Sequence, residues 1–208
     1  MNKILLIDGH SILNRAFYGV PPLTNFEGLH TNAVYGFINI MLKSLEDEHA
    51  DYIAVAFDLK APTFRHEMFA EYKGTRKPMP QELHEQVPVI KEVLAAMTIP
   101  VITLEGYEAD DILGTLAKRC QRDGFEVSIL SGDRDLLQLA DEHIKIRMPK
   151  TVKGQTSIEN YYPSDVIDKY QVTPEEFIDL KALMGDSSDN IPGVPGIGEK
   201  TATAIITK

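Results

Sequence analysis

Strand-like apolar runs in this chain end repeatedly on acids. Asp8 follows KILLI, Asp58 follows YIAVAF, Glu108, Asp110 and Asp111 follow VITLEGY, and Asp133 and Asp135 follow VSILSG. The carboxyl ends of strands in an open α/β sheet share one edge, and ligands bind there. Runs far apart in sequence therefore deliver their carboxylates to one place. Anions gathered so closely repel one another, and some stay protonated unless cations neutralise them. The natural neutraliser is hard, oxygen-preferring Mg²⁺ or Mn²⁺. The pattern reads as a site for metal-dependent phosphoryl transfer.

Singly, each ending has an ordinary reading. Asp8 and Asp58 could cap helices or close turns. Glu108, Asp110 and Asp111 could be acids favouring a helix N-terminus, and Gly132-Asp133-Arg134-Asp135 could be a turn. Their coincidence on four predicted strands favours the joint reading.

The spacing predicts a strand at 3–8, a helix over 31–48 with its apolar face on Val34, Phe37, Ile38, Met41, Leu42 and Leu45, and a strand at 52–57. A helix from about Glu82 to Met97 and a strand at 100–104 follow. Then come a helix from Glu108 to Gln121, a strand from Phe125 to Leu130, and a short strand at 144–147. This alternation predicts an α/β fold with a mostly parallel, doubly wound sheet. From about Tyr161 the pattern holds only helices and tight turns. We therefore expect an α/β core over 1–160 and a helical module over 161–208.

A formal charge of −10 argues weakly against a polyanionic partner, because nine of the 31 acids belong to the expected cluster. Where the bases lie matters more. Residues 60–81 hold Lys60, Arg65, His66, Lys73, Arg76 and Lys77 interleaved with Phe64, Phe69 and Tyr72. That mixture suits single-stranded nucleic acid, with phosphate contacts and base stacking; the plainer reading is a solvated amphipathic surface. Cys120 shares a helical stripe with Ile112 and Leu116 and reads as a small core residue. The histidines, His10, His30, His49, His66, His84 and His143, show no metal-ligand spacing, and no P-loop occurs. The apolar run before Asp8 is too short for a signal peptide or a membrane span, so cytoplasmic residence without membrane association is the expectation.

Two later segments carry chemistry. GDSSDN places Asp186 and Asp189 in a loop, where they serve as turn residues or complete a second cation site. VPGIGEKTA, with Gly193, Gly196, Gly198 and Lys200, is a glycine hairpin opening a helix. It suits a phosphate grip through free N–H groups, or merely a tight interhelical turn. With Ile191-Pro192 before it, it is similar to a helix-hairpin-helix, which holds DNA backbone without reading sequence.

Together, LLIDGHS, PPLTN, AVYGF, FDLKAPTFRHE with YKGTR, GYEADDILGT, SGDRDLLQL and ALMGDSSDNIPGVPGIGEKTA resemble the flap endonuclease superfamily. Within it, they are most similar to the 5′-nuclease domains at the N-terminus of bacterial DNA polymerase I. The likeness is nearly collinear over the chain. It implies a mostly parallel α/β sheet carrying a helical arch and a helix-hairpin-helix-type module. The implied activity is divalent-metal-dependent phosphodiester hydrolysis on DNA, as a 5′→3′ exonuclease and 5′-flap endonuclease serving primer removal and repair. By motif, Asp8, Asp58, Glu108, Asp110 and Asp133 would form a first metal site, and Asp111, Asp135, Asp186 and Asp189 a second. Arg65, Tyr72, Lys73, Arg76 and Lys77 would lie on the arch and meet DNA, with Arg65 and Lys73 acting on the scissile phosphate. Gly193, Gly196, Gly198 and Lys200 would hold duplex, with K⁺ on the hairpin carbonyls of 193–198.

Two departures stand out. Where relatives carry an aromatic residue six positions after the first Asp, this chain has Asn14, with Phe17 and Tyr18 nearby. The chain also stops soon after the hairpin, where the family continues with more helices and, in polymerase I, a polymerase domain. A truncated chain is the expectation. The competing readings are a PIN-like ribonuclease, which the basic insert and hairpin disfavour, and a non-catalytic DNA-structure-binding module, which the full set of acids disfavours.

Overall fold

A computed structural model describes residues 1–152 and 155–208. Its centre is a six-stranded sheet in the order β3-β2-β1-β4-β5-β6. β1 (Lys3–Asp8) pairs in parallel with β2 (Tyr52–Ala56) on one side and β4 (Glu126–Leu130) on the other. β3 (Val101–Ile102) extends the sheet beside β2, and β5 (Ile144–Val152) lies parallel to β4. β6 (Gln155–Tyr161) closes the edge as an antiparallel partner of β5. The expected strand at 144–147 is thus the start of a longer one, and the edge strand β6 departs from the parallel pattern.

β1 is a continuous apolar run because both its faces are covered. Leu5 and Ile7 point into one core with Val55, Phe57, Phe37, Met41, Ile90 and Leu94. Leu6 points into the other with Val127, Ile129, Ile112, Leu113, Val166, Phe177 and Leu180. The two-residue alternation of a strand makes this split unavoidable. The first core is covered by α1 (Gly9–Gly19), α2 (Asn32–Glu48) and α5 (Gln86–Ala96). The second is covered by α6 (Ala109–Arg122), α7 (Pro163–Tyr170) and α8 (Glu176–Met184). The C-terminal helices therefore share a core with the sheet.

Between β2 and β3 lie α3 (Phe64–Met68) and α4 (Gln81–His84), the latter followed by α5. The expected single helix from Glu82 to Met97 is broken at Glu85. Pro88 has no N–H, and its ring clashes with the carbonyl four residues back, at His84. The C-terminal part is not purely helical either. β7 (Gly185–Asp186) pairs antiparallel with β8 (Ile191–Pro192) before α9 (Glu199–Ile206). The two backbones meet at glycine: a Cβ on Gly185, at φ +73°, would lie 2.2 Å from Gly193 N. Among the described residues no helix is long and apolar enough to cross a membrane.

Candidate active site

In this strand order the chain reverses direction beside β1, so the crevice opens between the carboxyl ends of β1 and β4. Asp8 ends β1, and its Oδ1 accepts the Ser11 N–H at 3.0 Å, capping α1. The helix follows without a linker because Gly9 lies against the Phe57 ring, where a Cβ would sit 2.5 Å away. The capping role foreseen as an alternative for Asp8 is real, and it leaves Oδ2 to accept from the Ser131 hydroxyl at 2.7 Å. Asp58 follows β2, and its Oδ1 accepts the Ala109 N–H at 2.7 Å. Glu108 precedes α6, Asp110 lies in its first turn, and Asp133 follows β4. All five carboxylates line one cavity of about 680 Å³.

The cluster is strained electrostatically. Burial, then repulsion from Asp8, Asp133 and Asp58, pushes Asp110 up to about 8. Asp8 is pushed up to about 6 by burial, against its hydrogen bonds from Ser11 and Ser131. Asp58 behaves oppositely: burial alone would raise it, but bonds from His10 and Ala109 outweigh that and hold it below the usual carboxylate range. His10 Nδ1 stands 3.2 Å from Asp58 Oδ2 and 3.3 Å from the Asp58 amide nitrogen. When Nδ1 carries a hydrogen it donates to the carboxylate; in the tautomer without one it accepts from the amide.

The basic segment over 60–81 folds down onto these acids. Lys73 Nζ donates to Glu108 Oε1 at 2.7 Å, and Tyr72 Oη donates to Glu108 Oε2 at 2.9 Å. Arg65 makes a two-pronged bond to Asp111, at 2.7 and 2.8 Å. Tyr72 Oη also reaches Asp189 Oδ2 at 3.0 Å, and Arg76 pairs with the other oxygen of Asp189. The segment is pinned by its backbone too. Lys73 adopts a left-handed φ of 56°, rare for a residue with a side chain, and donates its N–H to the Asp189 carbonyl at 2.8 Å.

Asp111, Asp135 and Asp189 line a second cavity, of about 360 Å³, which shares Lys73, Glu108, Asp110 and Asp133 with the first. Asp186 lines neither but is joined to Asp135 through Lys181. Lys77 is exposed and stands apart from both cavities. Gly196, Gly198 and Lys200 are exposed on the hairpin, also outside the cavities, and open space surrounds Gly196 and Gly198. Gly193 has a packing reason of its own, against Met184 and Gly185.

The sequence reading missed Ser131, His10 as a partner of Asp58, and Lys181. Ser131 and His10 adjoin predicted acids and were recoverable by proximity; nothing marked Lys181. Among the described residues no three His, Cys, Asp or Glu groups stand close enough to hold a metal ion as they are arranged. The acids repel one another, and several are drawn aside by the chain's own lysines and arginines. The donor chemistry nonetheless fits a divalent cation: hard oxygens around an open cavity, with Asp110 raised far enough to hold at neutral pH a proton that a cation would displace.

Carboxylates at the switch point of a doubly wound sheet, faced by arginine and lysine from an overhanging segment, define a phosphate-processing class of site. The sequence profile of the 5′-3′ exonuclease N-terminal resolvase-like domain matches residues 3–171. That of the 5′-3′ exonuclease C-terminal SAM fold matches residues 172–208. The chain belongs to the 5′-3′ exonuclease family. It is 55% identical over 204 residues to DNA polymerase I of Bacillus caldotenax and, equally, to that of Bacillus subtilis. In both cases 98% of this chain matches 23% of the relative, so the chain spans about a quarter of their length. Among solved structures, a T5 protein co-crystallised with metal ions superposes with a TM-score of 0.77 at 27% identity, over 99% of this chain and 74% of that one. A variant of the bacteriophage T5 flap endonuclease, in a pseudo-enzyme–product complex with DNA and metal ions, gives 0.78 at 26% identity, over 99% of this chain and 75% of that one.

Proposed function

We propose that this chain hydrolyses phosphodiester bonds in DNA at 5′ ends and at the base of 5′ flaps, with two Mg²⁺ or Mn²⁺ ions. The observation that carries this reading is the convergence of Asp8, Asp58, Glu108, Asp110 and Asp133 on one cavity under a basic segment. These five would hold the first cation; Asp111, Asp135, Asp186 and Asp189 would hold or support the second. Bound there, divalent cations supply Lewis-acid polarisation and neutralise developing charge.

The chain's own part is positioning. Lys73 and Arg65 bring positive charge to the cavity wall, where it counts most as negative charge builds on the transferring phosphate. Ser131 and Ser11 fix the orientation of Asp8, and Ala109 N–H fixes Asp58. The module over 161–208 would hold duplex DNA through the backbone of 193–198 and Lys200, with K⁺ on the hairpin carbonyls. A polymerase domain would follow in the full-length protein, and primer removal and repair would be the setting. The test is a cleavage assay on a 5′-flap duplex with Mg²⁺ or EDTA, for the chain and for Asp133→Ala. Cleavage in EDTA, or near-normal cleavage by Asp133→Ala, would overturn the reading.

A further inference from the structure

The two groups of acids differ in how the chain itself treats them. Among the described residues, no lysine or arginine forms an ion pair with Asp8, Asp110 or Asp133. Every acid of the second group has one. Arg65 holds Asp111, Arg76 holds Asp189, and Lys181 lies between the remaining two. Its Nζ stands 3.0 Å from Asp135 Oδ1 and 2.5 Å from Asp186 Oδ2. Lys181 projects from α8, while Asp135 belongs to the turn after β4 and Asp186 to β7. One ammonium therefore ties three elements together across a gap that two carboxylates alone would widen by repulsion. Asp186 is further held by the Ser188 N–H and hydroxyl on Oδ1, which leaves Oδ2 facing the lysine.

We propose that Lys181 is a resident counter-cation at the second carboxylate group, and that a second divalent ion binds there only by displacing its ammonium. This rests on the reading of Asp135 and Asp186 as second-site acids given above. The physical argument is competition for the same oxygens. The ammonium already neutralises the pair at hydrogen-bond distance. An arriving divalent ion gains only the difference between its own attraction and that of the displaced ammonium. Among the described residues, Asp8, Asp110 and Asp133 of the first group have no such competitor, whereas Lys73 holds Glu108 and His10 stands 3.2 Å from Asp58. The chain is thereby built with unequal sites, a first that fills readily and a second that fills by exchange.

The test is Mn²⁺ titration followed by electron paramagnetic resonance of the free ion, on wild type, Lys181→Met and Lys181→Arg at equal ionic strength. Wild type is expected to bind one ion tightly and a second more weakly. Lys181→Met should tighten the second site by about tenfold or more while the first changes far less. Lys181→Arg keeps the cation and should keep the weak second site. A second-site dissociation constant that Lys181→Met leaves unchanged, with first-site binding and flap cleavage by wild type intact, would overturn this proposal alone. Absence of Mn²⁺ binding in wild type would overturn the metal-site reading with it. A measurement on wild type guards against misfolding of the variant: acetic anhydride labelling of lysines read by mass spectrometry. Lys181 should be protected without metal and become reactive as the second equivalent of Mn²⁺ binds; protection that Mn²⁺ does not change would refute the exchange.

Discussion

Replacing Asp110 by asparagine should stabilise the metal-free protein while removing its response to divalent cations. Asp110 titrates at about 8 in the folded chain against an ordinary 3.8, because it is buried beside Asp8, Asp133 and Asp58. A carboxyl whose folded value is raised contributes stability that is fully present below about pH 4, and that stability is lost as pH rises through 8. By linkage this shift costs the folded state about 4 kcal/mol at pH 7. Asp8 takes part in the same repulsion, so its own shift to about 6 is not added. Asp110→Asn removes the ionisable group and relieves its neighbours. In EDTA at pH 7 it should be more stable by roughly 2–4 kcal/mol, which for a chain of this size raises the melting midpoint by roughly 5–15 °C. The gain should vanish near pH 4 and grow between pH 5 and 8. Mg²⁺ should raise the wild-type midpoint and leave the variant nearly unmoved, since cation binding to wild type draws on the same repulsion. The assay is thermal unfolding by circular dichroism across pH 4–9, with EDTA or Mg²⁺. Parallel wild-type and variant curves across that range would refute the electrostatic reasoning, as would a variant less stable than wild type at pH 8 in EDTA.

Lys73→Ala should slow single-turnover cleavage at saturating DNA with modest loss of affinity, because Lys73 sits against Glu108 in the acid cavity. Lys200→Ala should do the reverse, weakening binding to all sequences alike and making the log–log salt slope shallower by about one unit; a purely kinetic effect of Lys200→Ala would break this division of roles. Gly185→Ala should cost about 2 kcal/mol or more by denaturant unfolding, since its φ is +73° and the new Cβ would meet Gly193 N at 2.2 Å. Arg147→Met should cost about 3 kcal/mol, because Arg147 is 3% exposed and holds Glu48 and Asp47. The figure is at the low end because Lys145 still pairs with Glu48 at 2.8 Å, and a further Glu48→Gln change should recover part of the loss.

The sheet and its acid edge were legible in the sequence because they rest on local, repeating signals. KILLI, YIAVAF and VSIL are too short and too apolar to be anything but buried strands, and the acids that follow them must then share one edge. That rule picked out seven acids: Asp8, Asp58, Glu108, Asp110 and Asp133 line the larger cavity, and Asp111 and Asp135 the smaller. The edge strand β6 escaped notice because QTSIENY is largely polar, and its place depends on pairing with β5. The break at Glu85 was written in Pro88 and overlooked. The short β7–β8 ladder is set by the close approach of Gly185 and Gly193, a contact between residues that no periodicity marks. What tertiary structure alone decided is the electrical state of the acids. Burial depth, the distance from one carboxylate to the next, and which lysine or arginine reaches which oxygen depend on elements separated by up to more than a hundred residues, as with Arg76 and Asp189. Coulomb energies vary with distance and local dielectric, and the linear chain specifies neither until it has folded. Composition and spacing therefore named the acids, and folding determined that Asp110 resists ionisation while Asp186, held by Lys181, is pulled down to about 2.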